Sequence, residues 1–378
     1  MNISVQLSDI SSRKFRFWSF ISMVLLVFVH GYNLNIRFLQ PWTIPGEPLS
    51  VTTFTEYFLA NGIFRFRIPM LFIISGFLYA LQDEKPYKQR IHKRLRTLLL
   101  PYLLWSAIAI LFTVLMETIP FGKNIIASTR MMQIDPQRLY LHDYYWYELF
   151  VQWIFFPVPY QLWFIRVLFI YNLAYPVLRW CVTNTTAKKI FFPFAALLWL
   201  ASMGFVFFEG EGLLFFSLGV WIQKNNFDID NAKSFFHPLL WGIAFVLIST
   251  IKTWLALKGL VFLGEAVYPV ITILHKMVVI SGLIATWYGS TGLVQWCMDK
   301  KWFVWLSSFS FIIYAAHAPL IAFAIEGVFQ FVQYVPFYRM LTYILLPSVI
   351  IILSITAGAI LRKFTPRIYG TLTGGRGL

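Results

Sequence analysis

The chain has 378 residues, of which 59% are hydrophobic and only 12% charged, and its mean hydropathy is +0.68. A soluble globular domain carries about 25% charged residues, so this composition excludes one and marks an integral membrane protein. The net charge of +15 follows from topology, since Lys and Arg concentrate in cytoplasmic loops; it does not point to nucleic acid.

A span needs about 20 largely apolar residues, and polar punctuation divides the chain at that spacing. Helices are expected near 15–33, 58–81, 97–117, 161–182, 190–208, 212–223, 236–256, 266–297, 303–332 and 340–361. The fold class is therefore all-α: a polytopic membrane protein of about ten transmembrane helices, forming a single domain over residues 1–378. Gly264, Pro269, Gly282 and Gly289 predict a broken or tilted helix, or a re-entrant piece, within 259–297.

The first run, Phe17 to Val29, follows Arg13, Lys14 and Arg16 and leads into His30. No small-residue cleavage pattern follows it, so a retained first span is expected and not a signal peptide. His30 is the most informative residue of the chain. An ionisable side chain costs at least a few kcal/mol at the bilayer centre, so it is either functional or sits at the lipid–water interface.

The second span opens on Arg65, Arg67 and Pro69 and continues to Ser75 and Gly76. Ser75 and Gly76 are small enough for a neighbouring helix or a thin ligand to approach. Helix packing does not explain Arg67, which has to snorkel or face a polar cavity. The run Lys85 to Arg96 then forms a dense cationic patch. It serves topology and anionic headgroups, or it recognises a phosphorylated cofactor through Arg90, Lys93, Arg94 and Arg96.

The long segment from Glu117 to Gln161 carries His142 and the aromatic run Tyr144 to Tyr147, which suits interfacial anchoring first and carbohydrate second. The fourth span places Trp163 and Arg166 near its start, and Arg166 lies about one turn inside. The ninth carries Ser310, Tyr314 and His317 at spacings of four and three, on one helix face. Such a polar stripe bonds to neighbouring helices or lines a cavity. Glu265 and Glu326 are the candidate membrane carboxylates.

Basic residues order the ends. Arg13, Lys14 and Arg16, the 85–96 run, Lys188 and Lys189, Lys224 and Lys233, Lys300 and Lys301, and Arg362 to Arg376 fall on one side if both termini are cytoplasmic. The other side receives Arg37, Lys123, Arg130, Arg138, Lys252, Lys258 and Arg339. Cys181 and Cys297 fall at cytoplasmic helix ends, so free thiols are expected. Asn184-Thr185-Thr186 lies on that same side and is no glycosylation site. There is no Walker loop, dinucleotide fingerprint, zinc spacing or nucleophile elbow, and no metal is expected.

Taken together, these motifs resemble the membrane-bound acyltransferase-3 family. The resemblance rests on His30, on Arg67-Ile-Pro69 through Ser75-Gly76-Phe77, and on the basic run into Pro101-Tyr102. It continues through Leu162-Trp163-Phe164, Leu214 to Gly219, and Ser308-Phe309-Ser310 through Tyr314 and His317. The chain departs from the family in carrying Ser19 eleven residues before His30, where an Arg or Lys is usual; Arg16 is the nearest cation. The last span lies close to the end of the sequence, so the extra hydrolase-like domain of some members is not expected.

The resemblance implies an O-acyltransferase of the bacterial inner (cytoplasmic) membrane. It would move an acyl group, acetyl in many members, from cytoplasmic acyl-CoA to a hydroxyl of a surface or lipid-linked glycan. His30 would be the general base, with Arg67 and Arg166 at the oxyanion. Ser75, Gly76, Arg90, Lys93, Arg94 and Arg96 would hold the donor, acetyl-CoA in many members, and Trp163, Tyr314 and His317 would hold the acceptor. Partners would be the lipid bilayer, with glycan-synthesis machinery or a second copy of the chain. The rival readings are an exporter of polysaccharide or lipid-linked sugar, which needs a passage but no base, and a structural subunit.

Overall fold

The computed structural model describes residues 7–36, 38–129 and 138–377; Arg37 and Arg130, two of the cations assigned above, lie outside them. The architecture is helical. Its strands among the described residues are Gly204–Phe205 and Phe208–Glu209, an antiparallel hairpin with Gly204 opposite Glu209.

The first helix, Asp9–His30, starts where the Ser8 hydroxyl accepts the Ser11 amide at 3.1 Å. Its apolar run buries Phe17, Trp18, Phe20, Leu26, Val27 and Val29. The helix ends on His30, so the imidazole stands at its last position.

The second span is a continuous helical stretch of 30 residues, Val51–Ala80. A π turn over Phe58–Gly62 and a 3-10 turn over Ile63–Phe66 interrupt its α-geometry just before Arg67. Such irregular turns free backbone carbonyls from the regular ladder, and Arg67 takes one of them, Phe64 O, at 2.8 Å. Further along, Gly76 and Gly219 face each other across a crossing with the Gly210–Lys224 helix. A Cβ on Gly76 would enter the Phe216 carbonyl, and one on Gly219 the Ile73 carbonyl. Lipid gives no hydrophobic drive for helix association, so contact this close is what holds such a pair. The smallness of Gly76 therefore serves helix packing, and no ligand arm can pass there.

Two expected spans are bent. The helices Tyr160–Leu173 and Tyr175–Thr183 meet at 68°, and Ser310–Ala316 and Leu320–Val332 at 61°. Pro176 and Pro319 lie at these breaks, where a missing N–H and ring clash end the preceding helix. The expected 303–332 span is thus broken directly beside His317. The stretch Pro238–Gly289, 52 residues long, folds back on itself at Gly264. Its two arms, Pro238–Leu263 and Val267–Gly289, pack side by side, with Gly259 against Val267 and Gly282 against Phe245. Lys252, counted above among the cations of the far side, lies inside the first arm and is fully buried, with its Nζ 3.1 Å from His275 Nδ1 on the second arm.

By length and apolarity, four helical stretches can cross a membrane, or six if each bent pair is one span. The start of the first helix and the end of the Tyr338–Phe364 helix both contact the 299–308 region, at one end of the molecule. Arg13 pairs with Asp299 at 2.5 Å, and Arg362 bonds Ser308 at 2.8 Å. Both thiols are free.

Candidate active site

His30 reaches into a cavity of about 880 Å³ whose lining includes Arg65, Arg67, Tyr160, Trp163, Arg166 and Lys276. The His30 Nδ1 lies 2.9 Å from the Nε2 of His317, and the Nδ1 of His317 lies 2.9 Å from the Ile313 carbonyl. These two contacts determine the tautomers of a neutral pair. A carbonyl only accepts, so His317 carries its proton on Nδ1, and its Nε2 is left as an acceptor. His30 then donates through Nδ1–H, and its own Nε2 keeps the free lone pair. The ring is held between His317, with centroids 5.1 Å apart, and Tyr160 at 4.6 Å.

Arg67 is buried, Arg65 and Arg166 are half-buried, and all three are only partly bonded. Arg65 donates to Leu39 O at 2.5 Å, Arg67 to Phe64 O at 2.8 Å, and Arg166 to Phe155 O. The Nε of each has no partner among the described residues. A buried cation that is hydrogen-bonded only to neutral carbonyls keeps its charge available to whatever enters the cavity.

Sequence reasoning missed the carboxylates that answer these cations. Glu211 interacts electrostatically with Arg65, Arg67 and Lys276, and one of its oxygens accepts Trp199 Nε1–H at 3.1 Å. Glu209 accepts the Gly212 amide, and Lys276 donates to Ser202 Oγ at 2.8 Å. The signal was an acidic pair flanking Gly210, immediately before an apolar helix. Of the two candidate carboxylates, Glu326 lines this cavity and Glu265 is exposed at the hairpin turn.

A second cavity of about 840 Å³ lies toward the start of the first helix. Ser19, Met23, Leu71, Ser75, Ser310 and Arg16 are among its walls. Phe164 and Tyr314 line both cavities and form the partition between them. Tyr314 is fixed there by donating to Gln161 O at 2.6 Å. Of the stripe, Ser310 and Tyr314 line the second cavity and Tyr314 also the first, while His317 is fully buried and bonds His30.

The expected donor residues are not brought together. Ser75 lines the second cavity, whereas Gly76 is packed against Phe216. Arg90 is buried, pairs with Asp83 at 2.8 Å, and stacks on Tyr79 and Tyr175 at 4.6 and 4.7 Å. Arg94 lies over Tyr79 at 5.1 Å, and Lys93 and Arg96 are exposed. None of these four lines either cavity. Of the expected acceptor residues, Trp163 and Tyr314 line the His30 cavity, and both ring nitrogens of His317 are committed to His30 and Ile313.

A helical membrane protein with an oriented histidine in one cavity, and a second cavity behind a two-residue partition, has the layout of a membrane enzyme. The chain belongs to the acyltransferase-3 family, whose acyltransferase-domain model matches residues 15–363. It is similar to the succinoglycan biosynthesis protein ExoH of Rhizobium meliloti (strain 1021), with 23% identity over 355 residues, which cover 93% of this chain and 89% of that protein. No solved structure matches it significantly.

Proposed function

We propose that this protein O-acylates a glycan, taking an acyl group (acetyl in the simplest case) from acyl-CoA on one side of the membrane and delivering it to a hydroxyl presented on the other. The observation that carries this reading is the free Nε2 of His30, aimed into a cavity by a second histidine. Family membership and the glycan in the relative's name support the reaction class and the acceptor class.

The donor supplies a thioester carbonyl and a thiolate leaving group. His30 Nε2 takes the proton of the acceptor hydroxyl as its oxygen bonds to the carbonyl carbon. Arg67 and Arg166 face the same cavity and stabilise the oxyanion that develops, an interaction worth most where water is excluded. When the carbon–sulfur bond breaks, the proton held on His30 returns to the departing sulfur. His317 is a positioning residue: it holds the His30 ring and keeps the proton off Nε2. Trp163 and Tyr160 offer ring faces to the sugar.

The donor approaches through the second cavity, and only the Phe164–Tyr314 partition separates its arm from His30. The chain crosses ten times with both ends cytoplasmic. The Pro238–Gly289 hairpin supports this by counting as two crossings, and so does the contact of the first helix's start and the last long helix's end with the same 299–308 region.

The test is His30→Ala in cells, with the inserted protein quantified and the surface glycan acyl content read by mass spectrometry. Loss of a general base lowers the rate by about a hundredfold or more, so acylation should vanish while expression persists. Normal acylation by a stably inserted mutant removes His30 from the mechanism.

A further inference from the structure

The second cavity carries positive charge that the protein does not neutralise. Arg16, Lys301, Arg362 and Arg376 line it, and the carboxylate beside them, Asp299, is paired with Arg13 at 2.5 Å. Among the described residues none of the four forms an ion pair. Neutral oxygens aim the three arginines instead. Arg16 donates to Ser307 Oγ at 2.8 Å and to Val304 O at 2.7 Å. Arg362 donates to Ser308 Oγ at 2.8 Å and to Gly377 O at 2.9 Å. Arg376 donates to Thr97 O at 2.7 Å and to Thr373 O at 3.0 Å. Such contacts fix the direction of a guanidinium and leave its charge intact. Like charges gathered in a recess repel one another, and an anion between them removes that cost.

The wall that carries Arg376 is built to stay in place. Gly374 and Gly377 take φ of +63° and +77°, a left-handed conformation that side chains disfavour. A Cβ on Gly374 would strike the Thr97 backbone, and one on Gly377 the Ser308 carbonyl. The two glycines therefore seat the segment between two helices and turn Arg376 inward, 4.8 Å from the centre of the Phe311 ring. Arg362 stacks on Phe309 at 4.3 Å. Planar guanidiniums held on rings present their remaining N–H groups edge-on, the geometry that matches phosphate oxygens.

We infer that this cavity is a phosphate site in which Arg362 and Arg376, with Arg16 and Lys301 at its rim, hold the phosphate groups of the acyl donor, and that residues 374–377 form its wall. The inference rests on the acyl-CoA reading above and moves the phosphate contacts away from Arg90, Lys93, Arg94 and Arg96. Ser19 and Ser75 line the same cavity, so the donor's uncharged arm would run from here along the first helix toward His30. From Ser19 to His30 that path is roughly 16 Å at the rise of an α-helix.

The experiment is coenzyme A binding by calorimetry to the full chain in nanodiscs of zwitterionic lipid, at fixed ionic strength. The wild type should bind, with affinity falling as salt rises. Arg362→Gln with Arg376→Gln should weaken binding at least tenfold, and Lys301→Gln should weaken it a few-fold. Gly377→Ala keeps every charge but displaces the wall, and should also weaken binding. If the double variant loses its thermal unfolding transition, the exposed positions Arg16→Gln and Lys301→Gln carry the comparison.

Unchanged affinity in these variants overturns the site and leaves the donor reading standing. No coenzyme A binding by the wild type overturns the donor reading itself. A loss with Lys93→Gln and Arg96→Gln, but not with Arg362→Gln and Arg376→Gln, returns the phosphates to the basic run. Repeating the titration in phosphatidylglycerol nanodiscs separates the two phosphate sources. If lipid binding depends on Arg362 and Arg376 while coenzyme A binding does not, the cavity takes a headgroup and the inference fails.

Discussion

At His30 the decisive feature is the direction of a lone pair. The bond to His317 at 2.9 Å commits Nδ1, so in the proposed mechanism Nε2 is the nitrogen that would receive the acceptor's proton. This predicts that His317→Phe, which keeps volume and removes the acceptor nitrogen, lowers the acylation rate at least tenfold while leaving coenzyme A affinity within twofold. His317→Gln, whose amide oxygen can accept from His30, should recover part of the rate. Equal losses of rate and donor affinity in both variants would show a structural role only. The sequence exposes both histidines as costly side chains in apolar helices, but it does not show that they touch. They lie 287 residues apart, and no local periodicity records a contact made by helix packing. The same limit hid Glu211 and Arg376, whose importance depends on what faces them.

Among elements, the junctions at the basic end are held by one carboxylate. Asp83, in the turn after the Arg67–Ala80 helix, accepts Arg90 at 2.8 Å, Arg179 at 3.1 Å, Tyr175 Oη at 2.7 Å, and Lys224. Three further helices are tied to that turn, and the run read from sequence as a phosphate patch begins inside this knot. Burial by itself would raise the Asp83 carboxyl, but the hydrogen bonds of Lys224 and Tyr175 outweigh it and hold the group below its ordinary value of 3.8. A depressed carboxylate stabilises the fold above its unfolded pKa, and that contribution is lost as pH falls through the lower folded value. Thermal stability from this source should therefore hold at pH 5 and decline only in solutions more acid than 3.8. Asp83→Asn should destabilise the protein by about 3 kcal/mol or more, since it leaves three cations together without their anion. A thermal unfolding series against pH, in which the variant has lost the acid-side decline, checks both statements. Gly76→Leu makes a separate element-scale test. It should abolish insertion of the folded protein by prying the Gly76–Gly219 crossing apart, whereas a ligand-binding role would spare folding.

For the whole molecule, sidedness sets what the two cavities can do. The stretch Tyr87–Glu117 separates the basic turn near Lys85 from Lys123 by 31 residues, roughly 45 Å as a helix and more than a bilayer's hydrocarbon core. Spans of this kind were legible from apolar runs. The bends at Pro176 and Pro319 and the buried Lys252 were not, because runs record how much lipid a segment tolerates and not which neighbour it meets. The charge bias predicts that Lys85 faces the cytoplasm and Lys123 the opposite compartment. With Cys181 and Cys297 replaced, Lys123→Cys in intact cells should react with an impermeant thiol reagent, and Lys85→Cys only with a permeant one. Cys297 is buried and Cys181 half-buried, and removing both keeps the background clean. His30 would then be reached from the far compartment and the arginine-lined cavity from the cytoplasm, where acyl-CoA is made. Labelling of Lys85→Cys by the impermeant reagent would place that cavity on the wrong side for its donor. The partition at Phe164 and Tyr314 would then divide two compartments that share no acyl group, and a sugar exporter would become the better account of the same helices.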